Sequence, residues 1–158
     1  MNNRREFIKK SVMAGIATQF SAASYAKIIG SNDRVRVACV GFSDRFKNSH
    51  IPPFKALAKS LNFEMVAVSD IWKRRREEGK AFIDSQLGSN VKMFVNNEEL
   101  YASKMADAVF ISTADFQHAV HTIEAVQAGC DAYTEKPLAE TMADNRAVLK
   151  AVRATNQI

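Results

Sequence analysis

Two neighbouring predicted strands each end in a cluster of polar side chains whose types could do chemistry on a small ligand. The first cluster contains Ser112, Thr113 and Asp115, and the second contains Glu135 and Lys136. An alcohol is oxidised by losing a hydride from carbon and a proton from oxygen, and a lysine ammonium can stabilise the developing alkoxide and relay that proton. Lys136 therefore lies where a ligand is expected, provided that both clusters face one site, and it is either such a chemical group or a surface lysine before a proline turn.

The elements that must position these clusters are a strand, an amphipathic helix and a second strand. Residues 109–112 are a short apolar run, residues 116–128 are amphipathic and are closed by Gly129, and a strand-like run then reaches Glu135. A strand, a helix and a parallel strand form a βαβ unit that is almost always right-handed. Ligands of open parallel sheets bind beyond the carboxyl ends of the strands, so we expect Asp115 and Lys136 to share one crevice.

The rest of the chain repeats this alternation. The predicted strands are 35–40, 63–70 and 91–95, and the predicted helices are 54–61, 72–87, 97–104 and 142–155. Strands that alternate with helices of this length are typical of an α/β fold. The sequence therefore predicts a Rossmann-like, doubly wound parallel sheet in a single domain over residues 33–158.

The loop after the first strand keeps one glycine of the Gly-x-Gly-x-x-Gly pattern that lets backbone N–H groups approach a pyrophosphate. Gly41 is the first glycine, but Ser43 and Phe46 stand at the second and third positions. A serine still permits a close approach, whereas the Phe46 side chain is expected to displace the helix from the strand or to fill the diphosphate space. The prolines at 52 and 53 are accordingly predicted to open the helix 54–61, and residues 47–50 are predicted to form a long loop.

Two charged residues are candidates for the polar groups of a dinucleotide. Arg45 either faces a phosphate or is a solvated loop arginine, and the residues leave both readings open. Asp70 ends the second strand, where an acid binds the adenosine ribose hydroxyls and repels a 2′-phosphate, so NAD is predicted over NADP. Asp70 could also cap the following helix. The basic run 73–76 keeps NADP open, because a guanidinium there could meet a 2′-phosphate.

Composition excludes several classes of function. The chain has 158 residues and a formal charge of +5, but residues 1–26 carry four basic residues against one acid, and the small remaining charge does not favour nucleic acid. No apolar run is long enough to span a membrane. Cys39 and Cys130 are predicted to be unpaired. His118, His121 and Glu124 share a helical face that we interpret as partly solvated, so no metal site is predicted.

Residues 1–26 contain, in order, the regions of a targeting signal, and they do not have the pattern of a folded domain. Arg4 and Arg5 precede an aromatic and an aliphatic residue, an apolar stretch follows, and residues 23–26 offer a small-x-small cleavage site. This order resembles the twin-arginine export signal, and an amphipathic helix or a basic tail is the alternative. The resemblance implies recognition by the twin-arginine machinery, export of the folded protein to the periplasm and no stable membrane anchor.

The two polar clusters also carry a family resemblance. Thr-Ala-Asp-Phe-Gln-His at 113–118, followed at the right distance by Glu-Lys-Pro at 135–137, resembles the Gfo/Idh/MocA oxidoreductases. The resemblance implies a nicotinamide cofactor bound by residues on the ends of the strands. It also implies a domain incomplete at its C-terminus, before the sixth strand, and a second α/β domain that holds the general base. We therefore expect this chain alone to show no turnover, and a homo-oligomer is compatible with the full-length protein.

The resemblance assigns roles to the candidate residues. Ser112, Thr113 and Asp115 are expected beside the nicotinamide ribose, and His118 matches the histidine of the family motif. Glu135 is expected to orient Lys136 or to touch the cofactor, and Lys136 to bind the reacting hydroxyl. Gly41, Ser43, Arg45 and Asp70 complete the predicted cofactor site.

Three functions remain open on the sequence alone. The first is hydride transfer to or from a sugar or polyol in an exported oxidoreductase. The second is a retaining glycoside hydrolase with catalytic NAD, which would release an aglycone instead of a ketose or lactone. The third is a non-catalytic fragment that binds a nucleotide weakly, which the degenerate glycine loop would explain. The periplasm is not expected to hold free nicotinamide cofactor, so a retained cofactor and a redox-neutral cycle are expected.

Overall fold

Five strands and five α-helices alternate along residues 34–158, the part of the chain that the computed structural model describes. The predicted export signal at 1–26 lies outside the described residues. The strands are β1 (Val35–Val40), β2 (Phe63–Ser69), β3 (Lys92–Phe94), β4 (Ala108–Ile111) and β5 (Asp131–Thr134). The helices are α1 (Ile51–Leu57), α2 (Lys73–Leu87), α3 (Asn97–Ala102), α4 (His118–Gln127) and α5 (Met142–Ala154). Within this part of the chain, no helix has both the length and the hydropathy that crossing a bilayer requires.

The strands form one parallel sheet in the order β3-β2-β1-β4-β5. The chain moves outward in one direction from β1 to β3 and then crosses back to continue from β4 to β5, which confirms the predicted doubly wound, Rossmann-like sheet. The order reverses between β1 and β4, where Val40 is level with Ile111. Val40 is also level with Ser69 of β2. Three strands therefore end together at the point where such sheets bind ligands.

Both faces of the sheet are buried, as β1 illustrates. Val37 and Cys39 pack on one face, together with large side chains from α1 and α2. Ala38 and Val40 pack on the other face, where α3 contributes Leu100. Successive side chains of a strand point to opposite faces, so a strand covered on both sides has a nearly continuous apolar sequence. This is why the run 35–40 is apolar almost throughout.

The helix after β1 begins earlier than predicted. Residues 44–45 are already helical, a π-helical turn follows at Phe46–His50, and α1 continues it. Ser43 Oγ accepts a hydrogen bond from Phe46 N–H at 3.1 Å and so caps the segment. Ile51 N–H donates to Phe46 O, five residues back. The prolines at 52 and 53 have no N–H for the carbonyls four residues earlier, and a π-turn accommodates that mismatch. The predicted loop at 47–50 was wrong.

The Phe46 side chain is part of the hydrophobic core. Its side chain is 0% exposed and belongs to the core under α1. Its ring centroid lies 6.1 Å from that of Phe42 and 5.9 Å from that of Phe110. The ring therefore points into the protein and does not line the cleft described below, so the expectation that it would fill the diphosphate space was wrong. The expected displacement of the helix from the strand stays a prediction.

Candidate functional site

Two adjoining cavities lie at the carboxyl ends of the strands. The larger has a volume of about 660 Å³, and its walls include Gly41, Ser43, Asp70, Ser112 and Thr113. The smaller has a volume of about 270 Å³ and shares Ser43, Ser112 and Thr113 with the larger one. It is completed by the other predicted site residues, which are Arg45, Asp115, His118, Glu135 and Lys136. The structure thus brings all ten predicted residues to one site, with Asp115 and Lys136 in the same cavity.

Gly41 is the position where the backbone of the loop passes closest to β4. Its φ is +80°, and its N–H donates to Ser69 O at 2.8 Å. A Cβ atom there would lie 2.5 Å from Thr113 Cγ2 and 3.0 Å from Thr113 Cα. Only glycine adopts the left-handed conformation at no steric cost, and only glycine leaves room for this close approach. The first glycine of the motif is therefore required by the packing of the two loops.

Ser43, at the second glycine position, links the same two loops. Its Oγ lies 2.5 Å from Ser112 Oγ at the end of β4. The same atom accepts the Phe46 N–H. The serine therefore takes over two tasks, capping the helix and fixing the loop against β4, which backbone groups alone could not perform.

Asp70 connects the loop after β1 to the loop after β2. Its Oδ2 accepts Phe42 N–H at 3.0 Å, and its Oδ1 accepts Trp72 N–H at 2.8 Å. The N-cap position of α2 is Trp72, so the alternative in which Asp70 caps that helix was wrong. Each carboxylate oxygen has a second lone pair. Asp70 can therefore hold both loops and still accept a hydrogen bond from a ribose hydroxyl.

The basic run at the start of α2 is largely paired within the protein. Arg75 lines the larger cavity and lies 3.0 Å from Asp44 Oδ1, a carboxylate of the glycine loop. Arg74 packs its guanidinium over the Trp72 ring, 4.1 Å from the centroid. Arg75 thus offsets an acid that would otherwise repel a diphosphate.

Glu135 is a buried carboxylate between the end of β5 and the helix after β1. It is 8% exposed. Its Oε1 accepts Arg45 Nε–H at 3.1 Å and lies 2.5 Å from His50 Nε2, while its Oε2 accepts Lys136 N–H at 3.2 Å. Burial acts to raise the pKa of Glu135, but the Arg45 bond, the Lys136 N–H and His50 together hold that pKa below its ordinary value. Arg45 is therefore committed to a carboxylate, with its side chain still 57% exposed.

The depressed pKa of Glu135 makes stability depend on pH. A carboxyl group whose pKa is lower in the folded state stabilises the protein above its unfolded pKa, and that contribution is lost as the pH falls through the folded pKa. We expect Glu135→Gln to be about 1–3 kcal/mol less stable than the parent protein at pH 7, because hydrogen bonds to a charged group are lost. The difference should shrink below the reference pKa of 4.5. Urea denaturation at several pH values measures it.

The control for this titration is Glu64→Gln, which removes an exposed carboxylate that pairs with Arg34. We expect a small effect on the free energy of unfolding at both ends of the pH range, since surface ion pairs contribute little. A stability difference for Glu135→Gln that stays constant from pH 7 to below 4 would contradict the stated role of its charge.

Lys136 and His118 both line the smaller cavity. Lys136 is exposed, and among the described residues its ammonium has no hydrogen bond or ion pair. The following Lys136–Pro137 peptide is cis. His118 is 1% exposed, with Nδ1 2.7 Å from Pro137 O and Nε2 3.2 Å from Thr113 O. Its ring therefore ties the loop after β4 to the turn after Lys136.

Thr113 provides a test of whether the site fits a dinucleotide. It lines both cavities, and within the described residues its buried Oγ1 has no hydrogen-bond partner. A buried hydroxyl without a partner is destabilising unless something pairs with it. Together with the close backbone approach at Gly41 and the acid Asp70 at the end of β2, it makes the residues present suitable for a nicotinamide dinucleotide.

The far wall of the larger cavity carries a polar network that the sequence did not reveal. Asn97 Oδ1 accepts Ser69 Oγ–H at 2.8 Å, and Asn97 Nδ2 lies 2.9 Å from His121 Nδ1. The same His121 atom is 3.0 Å from Glu124 Oε2. Within residues 34–158, no three His, Cys, Asp or Glu side chains are arranged to hold a metal ion. His121 and Glu124 form part of this cavity wall, whereas His118 lies apart from them in the smaller cavity.

Comparison with known proteins identifies the family of the chain. Residues 35–158 match the family model GFO_IDH_MocA, described as an oxidoreductase family with an NAD-binding Rossmann fold. A 1,5-anhydro-D-fructose reductase from Ensifer adhaerens is 36% identical over 78 residues, which are 49% of this chain and 22% of that protein.

The solved structures that share the fold include the following two. The WlbA dehydrogenase from Bordetella pertussis, in complex with NADH and UDP-GlcNAcA, has a TM-score of 0.68 and 24% identity over 78% of this chain and 35% of its own. KijD10, a 3-ketoreductase from Actinomadura kijaniata in complex with NADP and TDP-benzene, has a TM-score of 0.68 and 19% identity over 80% of this chain and 36% of its own. The chain therefore spans about a third of these solved relatives.

Proposed function

The chain belongs to the Gfo/Idh/MocA family of oxidoreductases and contains the NAD-binding Rossmann domain of that family, and from this we propose that the full-length protein transfers hydride to or from a sugar or polyol. The observation that carries the proposal is the junction of the two cavities. Asp70 lies in the wall of one, the exposed Lys136 lies in the other, and Ser43, Ser112 and Thr113 belong to both. A cofactor site and a group for alcohol chemistry therefore adjoin.

The residues of this chain divide the work as follows. The loop from Gly41 to Ser43 receives the diphosphate, Asp70 the adenosine ribose, and Thr113 with Asp115 the nicotinamide end. A bound nicotinamide supplies the acceptor or donor of hydride. Lys136 binds the reacting oxygen, stabilises its negative charge and relays its proton.

The state of Lys136 suits this role. Its ammonium has no carboxylate partner among the described residues, because Glu135 is engaged by Arg45 and by the Lys136 main chain. An unpaired ammonium at a partly enclosed site interacts more strongly with a developing alkoxide than one already neutralised by an acid.

A sugar or polyol substrate is supported by the chemistry of the relatives. The reductase from Ensifer adhaerens is named for a sugar derivative, and the WlbA dehydrogenase was solved with a nucleotide-linked sugar acid. The test uses the full-length protein with bound nicotinamide cofactor and a panel of aldoses, polyols and aryl glycosides. A ketose or lactone product supports hydride transfer as the net reaction, whereas a released aglycone would favour the glycosidase alternative. Absence of nucleotide binding would overturn both.

The proposed preference for NAD over NADP rests on Asp70. We expect Asp70→Ala to weaken NADH binding about tenfold, because hydrogen bonds to a charged group are typically worth about 1.5–3 kcal/mol. The affinity for NADPH should fall less or rise, since the Asp70 carboxylate repels a 2′-phosphate. Fluorescence titration with both dinucleotides measures the effect, and Glu64→Gln, at the other end of β2, is the control. Equal weakening for both would contradict a ribose contact.

The cellular location is proposed from residues 1–26. We infer that the twin-arginine machinery exports the protein folded, with its cofactor bound, to the periplasm. A retained cofactor then requires a cycle in which it is oxidised and reduced in turn on the enzyme. Replacing both Arg4 and Arg5 by lysine should leave the protein in the cytoplasm, as measured by cell fractionation. Unchanged periplasmic recovery would contradict this route.

A further inference from the structure

His50 is a buried histidine that no sequence motif singles out. It is 9% exposed. Its ring packs against Phe46, Phe110 and Tyr133, with centroid separations of 5.9, 5.3 and 5.7 Å. Its Nε2 atom lies 2.5 Å from Glu135 Oε1, within ion-pair distance, and the contact does not have the geometry of a hydrogen bond.

The π-helical turn is what brings His50 to Glu135. One extra residue in a turn rotates every later side chain by roughly 100° relative to a continuous α-helix. The extra residue falls in Phe46–His50, and the turn closes through the bond from Ile51 N–H to Phe46 O. His50 is the last residue of this turn, and it lies at the end of the sheet.

Glu135 is consequently held from two sides. Its Oε1 contacts Arg45 and His50, both from the helical segment after β1, and its Oε2 accepts the N–H of Lys136. The carboxylate therefore joins the helix after β1 to the main chain of Lys136.

We propose that His50 and Arg45 are a positioning pair that fixes Glu135 and, through it, the main chain of Lys136. The inference rests on the proposed function, in which Lys136 binds the reacting oxygen. Because Oε1 is occupied by the pair and Oε2 by the Lys136 N–H, Glu135 does not neutralise the Lys136 ammonium. The pair thus keeps that ammonium available for a ligand while holding its backbone in place.

The variants that test this proposal are His50→Leu and Arg45→Met, each of which removes one of the two side-chain contacts to Glu135 Oε1. Arg45 is largely exposed, so its variant remains folded if the loss of a buried histidine proves too disruptive. His50→Gln places an amide N–H near the position of Nε2 and should restore the parent behaviour. Lys47→Met is the control, because Lys47 is a cation of the same turn that pairs with Glu78 instead.

The first measurement needs neither cofactor nor substrate. The carboxyl ¹³C signal of Glu135 reports its titration in the presence of the groups that face it, namely Arg45, His50, Lys136 and, across the cavity, Asp115. We expect the midpoint to move to higher pH in His50→Leu and Arg45→Met, and the Lys136 amide to exchange several-fold faster in both. His50→Gln should lie close to the parent protein, and Lys47→Met should equal it.

The second measurement is turnover of the full-length enzyme. A displaced catalytic group lowers kcat, so we expect a loss of roughly tenfold or more in both variants. The NADH affinity should be unchanged in His50→Leu. An unmoved Glu135 midpoint and an unchanged Lys136 exchange rate would overturn the inference, as would a moved midpoint with unchanged kcat. Full activity of a Lys136→Met variant would instead overturn the proposed function, while the titration would still report whether the pair fixes Glu135.

Discussion

Replacing Lys136 by methionine is expected to lower kcat of the full-length enzyme by about 10²–10⁴-fold, the range typical for loss of a positioned acid–base group. The side chain is exposed and, within the described residues, has no ionic partner, so the change in the free energy of unfolding should stay within about 0.5 kcal/mol. The NADH affinity should remain within about twofold, since only the reacting oxygen loses a partner. Steady-state kinetics and fluorescence titration separate these quantities.

Two further variants give the Lys136 experiment its meaning. Lys136→Arg keeps the charge but presents a planar guanidinium that does not readily give up a proton, so we expect it to recover little of the lost kcat. Lys150→Met removes an exposed lysine of α5 and should leave kcat unchanged. A Lys136→Met enzyme with parental kcat would show that the reacting oxygen is bound elsewhere.

Among substitutions that add a single methyl group at the site, we expect Gly41→Ala to cause the largest loss of stability. The residue would be strained at φ +80°, and its Cβ would lie 2.5 Å from Thr113 Cγ2. Each residue forced into such a conformation costs about 1–3 kcal/mol of stability. The close contact with Thr113 adds to this cost. Urea denaturation of the purified variant measures the loss.

Gly88→Ala is the matched control. Gly88 also has a positive φ, of +66°, but a Cβ atom added there would have no neighbouring atom within 4 Å. The free energy of unfolding of this variant should fall by about 1 kcal/mol, from the backbone conformation alone. The excess loss in Gly41→Ala is then the effect of the close approach to β4, and it should be accompanied by weaker NADH binding. Equal losses in both variants would show that the approach at Gly41 is not tight.

The strands and their order follow from local features of the sequence. Short β-branched runs ended by Gly41 and Asp70 predicted β1 and β2 nearly to the residue, and the Gly88 and Gly129 stops placed the ends of α2 and α4. These signals are local, because hydrophobic period and helix-ending glycines act within a few residues. The doubly wound sheet then follows from the alternation of elements.

The start of the helix after β1 could not be predicted in the same way. Its first turn depends on Phe46 being buried against Phe110, a residue of a strand more than sixty positions later. It also depends on Ser43 Oγ serving as a cap. The proline pair at 52 and 53 pointed to a helix start, whereas in the structure it follows a π-helical turn in a helix already under way.

The residues of the candidate site also fall into two groups, those that the sequence predicted and those that it did not. Lys136, Asp115 and Thr113 lie at the ends of strands, where sequence position alone determines which edge of the sheet they reach. His50 and Asn97 reach the site only through the π-turn and through contacts with distant elements. The sequence carried no signal for either residue.

The His118 ring has a consequence for any attempt to transplant this site. Since its two nitrogens contact carbonyl oxygens of Thr113 and Pro137, the wall of the pocket and the turn behind the lysine are braced against each other. Segments 113–118 and 135–137 should accordingly be exchanged between homologues as one module. Grafting either segment alone would leave the brace without one of its anchors.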